Sequence, residues 1–257
     1  GPTVVMLHGW PDTLALWDGA VRALSDGYRC VRFSLPGFDL AKPPRPVSVN
    51  EMCELVGAVV DAVSPDEPVT LLLHDWGCFF GYEYAARHPQ RVARVVGTDI
   101  GDTNSGAYLK SLKTKEKLMI AGYQLWLAVA WKLGGWLPGL ADRMTRFMAR
   151  TIGCRTPPER MGWQMNYPYA MQWFGSYGGL RGVARVDKVF GPQIPTLFCF
   201  GRRKPFMFHS PRWLAALGTT PGSQVKGFDA GHWLMFQKPD QFHTAVRAWL
   251  DSGGAER

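Results

Sequence analysis

Apolar residues in this chain follow two rhythms. Short Val- and Leu-rich runs bounded by turn residues occur at Val4–Leu7, Cys30–Ser34, Val69–Leu73 and Val92–Thr98. Between them, Ala15–Leu24, Val49–Val63 and Phe79–Arg87 carry apolar residues at helical spacing. Near-continuous apolar strands separated by helices predict βαβ units and a mostly parallel sheet covered on both faces. After Asp99 the rhythm breaks. Residues 104–186 hold no strand-like run, but many aromatic, Leu, Met and Ala residues broken by Gly-Gly and Pro-Pro pairs. From Ile194 the alternation resumes with Ile194–Phe200, a helix over Pro211–Leu217, the short strand Gln224–Phe228 and a helix over Gln241–Leu250. The pattern predicts one α/β core built from residues 1–103 and 187–257, interrupted by a helical cap over 104–186.

Composition narrows the function classes. The 257 residues, 46% hydrophobic and 19% charged, suit one globular domain with an inserted lobe. The net charge of +8 is spread along the chain with no recognition motif, so a nucleic-acid partner is not expected. Lys110, Lys113, Lys115 and Lys117 precede an apolar segment, which suggests weak contact of the cap with an anionic membrane surface. That segment, Leu118 to Trp131, is too short to cross a bilayer. Five cysteines without metal or redox spacing, and no leader-like stretch, point to a reducing, cytoplasmic setting. A homodimer is compatible with all of this. Neither a cofactor nor a metal is called for, since no ligand cluster stands out.

Three motifs carry the chemistry. Leu73-His74-Asp75-Trp76-Gly77 ends a strand in a polar residue and opens a helix, the form of a nucleophile elbow at the ligand-binding edge of an open sheet. A carboxylate there would attack an sp³ carbon and form an ester. A plain helix N-cap by Asp75 is the competing reading. His8-Gly9-Trp10-Pro11-Asp12 follows the first strand, and its turn can aim the Trp10 N–H at the same point as that of Trp76, although it could serve as a turn alone. Phe228-Asp229-Ala230-Gly231-His232-Trp233 follows the last strand, where a loop can return His232 to the same edge; His209 is its rival.

In order and spacing these motifs resemble the epoxide hydrolase and haloalkane dehalogenase branch of the α/β-hydrolase fold. The resemblance covers nearly the whole chain, and because residues 4–7 already read as a buried strand, the family's opening strands are expected to be missing. It implies that Asp75 is the nucleophile, that Trp10 and Trp76 supply the N–H pair, that Trp76 lines the leaving-group side, and that His232 activates water. The family's Gly-x-x-Asp turn reads Gly201-Arg202-Arg203-Lys204 here, without its acid. Some dehalogenases place that acid after the preceding core strand, where Asp99 stands, with Asp102 as fallback. Asp229 is too close to His232 in sequence to serve.

Epoxide hydrolases offer two cap tyrosines to the opening ring. Tyr123 resembles the first, and either Tyr167 or Tyr169 the second, because Pro168 leaves the register open; a packing role is the alternative for each. The resemblance therefore implies hydrolysis of an apolar epoxide, with water as co-substrate. Haloalkane dehalogenation is the runner-up, and binding without turnover is the reading from another class.

Overall fold

The computed structural model describes residues 1–183 and 194–253. Six strands, β1 (Thr3–Leu7), β2 (Arg29–Arg32), β3 (Val69–His74), β4 (Val92–Thr98), β5 (Thr196–Gly201) and β6 (Gln224–Phe228), form one sheet in the order β2-β1-β3-β4-β5-β6. Every pairing is parallel. Each strand lies where the apolar runs predict one. No end differs by more than two residues: β2 ends at Arg32 rather than Ser34, and β5 starts at Thr196 rather than Ile194, because Pro195 has no N–H for the ladder.

Alternation along the strands builds two cores. Val5, Leu7, Leu71 and Leu73 face one side with α2 (Val49–Val63) and α3 (Trp76–Arg87). Val4, Met6, Leu72 and Val96 face the other, against α1 (Asp18–Leu24) and a C-terminal helix over Pro239–Ser252. Helix α2 begins with a reciprocal capping box between Ser48 and Glu51, which fixes its start at the predicted residue.

The chain runs from β1 out to the edge strand β2, then returns to lay β3 on the other side of β1. That reversal leaves a crevice at the carboxyl ends of β1 and β3, where open parallel sheets bind ligands. Between β4 and β5 the described chain is helical, with α4 (Gly106–Ser111), α5 (Thr114–Gly134), α6 (Pro138–Thr151) and α7 (Tyr167–Phe174). The boundary expected at residues 186 and 187 lies outside the described residues. Three further helices, α8 (Pro211–Thr219), α9 (Leu234–Gln237) and α10 (Pro239–Ser252), complete the order.

Gly77, the second residue of α3, shows how closely elements meet at the crevice. A Cβ there would collide with the Leu7 and His8 carbonyl oxygens. Gly122, in α5, has open space where a Cβ would stand. Gly77→Ala should therefore yield protein that melts far lower or does not fold. Gly122→Ala should stabilise the protein by about 0.5–1 kcal/mol, since helix entropy is then the only term. Thermal melts of the two variants check the contrast.

Candidate active site

Asp75 joins β3 to α3 with φ 53° and ψ −125°, a conformation that side-chain-bearing residues rarely adopt. Its carboxylate makes no cap bond to α3, so it is not spent on the helix start. Instead the Trp10 N–H donates to Asp75 Oδ1 at 2.6 Å. A Cβ on Gly9 would collide with both the Asp75 carboxylate and Trp76 N, so only glycine lets the two turns approach this closely. His8 holds the first turn rather than exchanging protons. Its Nδ1 donates to Gly9 O at 3.2 Å, its Nε2 accepts from Leu35 N at 3.2 Å, and burial pushes its pKa down to about 4.

The loop after β6 brings His232 between two carboxylates. Nδ1 donates to Asp99 Oδ2 at 2.6 Å, and Nε2 lies 3.6 Å from Asp75 Oδ2. Burial opposes charging this ring, but the bonds and charges of Asp75 and Asp99 outweigh it and push the pKa up to about 9. Asp99 sits at φ 70° after β4, fully buried. Asp102 does not face His232. It accepts from Ser105 Oγ at 2.6 Å, from Ser210 N at 2.7 Å and from Ser210 Oγ at 2.7 Å, tying α4 to α8. His209 packs its ring on Phe200 at 4.5 Å, within the core beneath the site.

Two participants were not evident in the sequence. Lys204 fills the position where the family's turn carries its acid, and its ammonium forms a buried ion pair with Asp99 Oδ1, which also accepts from Gly201 N at 3.0 Å. Burial alone would raise the Asp99 carboxyl, yet Lys204 and His232 hold it well below the usual carboxylate range. The second is Asp12, from the His-Gly-Trp-Pro-Asp run. It accepts from Thr156 Oγ1 at 2.6 Å and Trp233 Nε1 at 2.8 Å, and burial raises its carboxyl to about 6. It thereby fixes the residue next to His232 and ties the helical insertion to the first turn. The signal for Lys204 was the missing acid itself; for Asp12, only its place in the motif.

A cavity of about 460 Å³ opens above Asp75. Trp76, Phe79, Tyr123, Tyr169, Trp173 and Phe208 give it mainly apolar walls. Of the two tyrosines whose register the sequence leaves open, Tyr169 lines the cavity and packs edge-on against Trp10 (5.7 Å), Trp76 (5.4 Å) and Tyr123 (6.2 Å). Tyr167 does not reach it. The start of α7 turns that ring toward Phe38 and Trp131, with its hydroxyl buried and unbonded. Burial raises the phenols of Tyr123 and Tyr169, keeping both protonated. Trp10 Nε1 is already committed to Asn166 Oδ1 at 2.7 Å. Among the described residues no cluster of His, Cys, Asp or Glu could hold a metal ion.

Comparison with known proteins gives the fold family. The profile of the alpha/beta hydrolase fold family matches residues 2–150. A "Cis-3-alkyl-4-alkyloxetan-2-one decarboxylase" of Xanthomonas campestris is 31% identical over 277 residues, covering 98% of this chain and 89% of that protein. "Probable oxidoreductase EphD" of Mycobacterium tuberculosis is 42% identical over 90 residues, which is 34% of this chain and 15% of that longer protein. An epoxide hydrolase of Bacillus megaterium, solved with an inhibitor, superposes with a TM-score of 0.70 at 19% identity, covering 98% of this chain and 94% of that one.

The His232 charge follows from its two carboxylates, which gives a direct check. Its NMR titration should have a midpoint near 9 in the unaltered protein. Asp75→Asn removes one of the anions that favour the imidazolium, so the midpoint should fall. Lys204→Met removes the cation that offsets Asp99, so the midpoint should rise and the protein should lose on the order of 3 kcal/mol of stability. Shifts in the opposite directions would contradict the arrangement.

Proposed function

This chain belongs to the α/β-hydrolase fold family, and from that premise we propose that it hydrolyses an apolar epoxide to a diol through an alkyl ester on Asp75. The observation that carries the reading is the convergence on one apolar cavity of Asp75 and two protonated phenols, with His232 Nε2 3.6 Å from the Asp75 carboxylate.

Each group has a step. The substrate sits in the cavity with one ring carbon at Asp75, and the helical insertion acts as its cap. An Asp75 oxygen attacks that carbon, the carbon–oxygen bond of the ring breaks, and the alkoxide takes a proton from Tyr123 or Tyr169. Alkylation turns Asp75 into a neutral ester. His232 then has one carboxylate partner instead of two, so its pKa falls and it can release its proton to solvent. The neutral ring, held in one tautomer by Asp99, takes a proton from water as that water attacks the Asp75 carbonyl carbon. The Trp10 N–H, already on Oδ1 at 2.6 Å, stabilises the tetrahedral oxyanion, and Trp76 N is the second donor of the expected pair. Collapse expels the diol and restores the carboxylate. The imidazolium reprotonates the tyrosinate, and His232 takes back from solvent the proton it released earlier.

A halide would need N–H donors in place of the phenols. Trp10 Nε1 is bonded to Asn166, so it is not free to hold a halide, which favours the epoxide. Binding without turnover leaves the Asp75–His232–Asp99 alignment without a use.

A second reading has its own support in the full-length similarity to the Xanthomonas decarboxylase. An oxetan-2-one is also a strained ring with an sp³ carbon bonded to oxygen. Attack by Asp75 at that carbon would release a carboxylate. Loss of CO₂ with expulsion of Asp75 would then leave an alkene, with no water consumed.

Products separate these readings. Incubation with apolar epoxides should give diol, with no alkene from a 3,4-dialkyloxetan-2-one and no bromide from bromoalkanes. Tyr123→Phe keeps the ring but removes a proton donor, so single-turnover alkylation by the epoxide should slow by roughly 10²–10⁴-fold if Tyr123 is the acid. Alkene from the lactone together with no diol would replace the epoxide reading with the second one. Bromide release that survives Tyr123→Phe, with no diol, would point to a dehalogenase.

A further inference from the structure

All fourteen large apolar side chains that are exposed among the described residues lie between Leu109 and Tyr177. None is on the sheet domain. A helix on the outside of a water-soluble protein normally shows polar residues to solvent. Helix α5 buries Leu127, Ala128 and Trp131 on one side, yet on its solvent side repeats Leu118, Leu125 and Val129. Helix α6 adds Leu140 and Phe147, and the turn between them carries Trp136, 87% exposed. The two stripes form one face, because the Trp126 ring packs tilted against Phe147 at 5.9 Å and its indole N–H donates to Met144 O at 3.0 Å.

That face is also basic. Residues 114–152 contain six Lys and Arg against two carboxylates, Glu116 and Asp142. Both carboxylates are already engaged, Glu116 by Lys113 N at 2.7 Å and Asp142 by Trp163 N at 2.9 Å. Lys115, Arg143 and Arg150 stand exposed beside the apolar stripe.

We propose that the α5–α6 face docks on an anionic lipid surface, with its Trp, Leu and Phe side chains in the headgroup–acyl boundary and its Lys and Arg on lipid phosphates. Exposed Trp and Leu beside unpaired cations are the combination that interfacial helices use. A second copy of this chain fits poorly, since a two-fold contact would press two net-positive faces together. Placement relative to the cavity gives the docking a purpose. Lys117 and Ile120 line the cavity, and the neighbouring Leu118 and Met119 are exposed on the same helix. A docked α5 would hold the cavity mouth at the lipid, where an apolar substrate is concentrated. The docking does not depend on the reaction assigned to Asp75, and its test reads binding alone.

Flotation of the purified chain with vesicles of phosphatidylcholine, with or without phosphatidylglycerol, tests it. Binding to the anionic vesicles should be at least about tenfold stronger and should weaken at high salt. The triple change Leu118→Ser, Trp136→Ser, Phe147→Ser should reduce it at least about tenfold without lowering the melting temperature. Lys115→Glu with Arg143→Glu should abolish the preference for anionic lipid while leaving the apolar stripe intact. Absence of binding to anionic vesicles, or binding undiminished in both variants, would overturn the proposal. A solution dimer that dissociates in the triple variant, with no vesicle binding, would overturn it in favour of self-association.

Discussion

His232 has a carboxylate at each ring nitrogen, Asp99 at 2.6 Å and Asp75 at 3.6 Å, in a setting from which water is largely excluded. Two buried anions around one imidazole would be too much negative charge for an apolar interior. Lys204 relieves it, contributing the second cation to what becomes an alternating row of Asp75, His232, Asp99 and Lys204. The sheet makes the row possible. Strands β3, β4, β5 and β6 end side by side, and each of the four groups comes from the turn after one of them. The left-handed backbone at Asp75 and Asp99 aims their carboxylates along the sheet edge rather than into the following segments.

The same row explains why a family-like turn can lose its acid. An orienting carboxylate can reach Nδ1 from the end of β4 or of β5. With Asp99 already in place, a second acid at residue 204 would bring a third anion to His232. A lysine there neutralises instead. On the proposed mechanism, alkylation of Asp75 would leave His232 with one anion and a nearby cation, conditions that release its proton when a base is needed. Behind His232, Asp12 binds Thr156 and Trp233, and His74 Nε2 lies 3.2 Å from the His232 carbonyl oxygen; burial lowers the His74 pKa to about 3, which keeps that ring neutral.

The local signals in this chain were legible because they are local. The apolar runs name all six strands, and the Ser48-x-x-Glu51 box marks the start of α2. Asp75, Trp10 and His232 announce themselves by the turns in which they sit. What the sequence leaves open depends on distant contacts. Lys204 and Asp99 are 105 positions apart, and no periodicity links them. Choosing Tyr169 over Tyr167 requires knowing how α7 leans on Trp10 and Trp76, which Pro168 obscures. The apolar segment of α5 and the lysines before it hint at a membrane contact, but which of its apolar residues face outward cannot be read from the pattern, since a helix apolar on two sides looks like a buried one.

The central claim is that Asp75 is alkylated and that His232 is needed only to remove the alkyl group. Intact-mass measurement of His232→Gln after exposure to an apolar epoxide tests it most directly. The account predicts protein heavier by one substrate mass, with the adduct on Asp75 after peptide mapping and little diol released. Unmodified protein that still forms diol, or an adduct on any other residue, would contradict it.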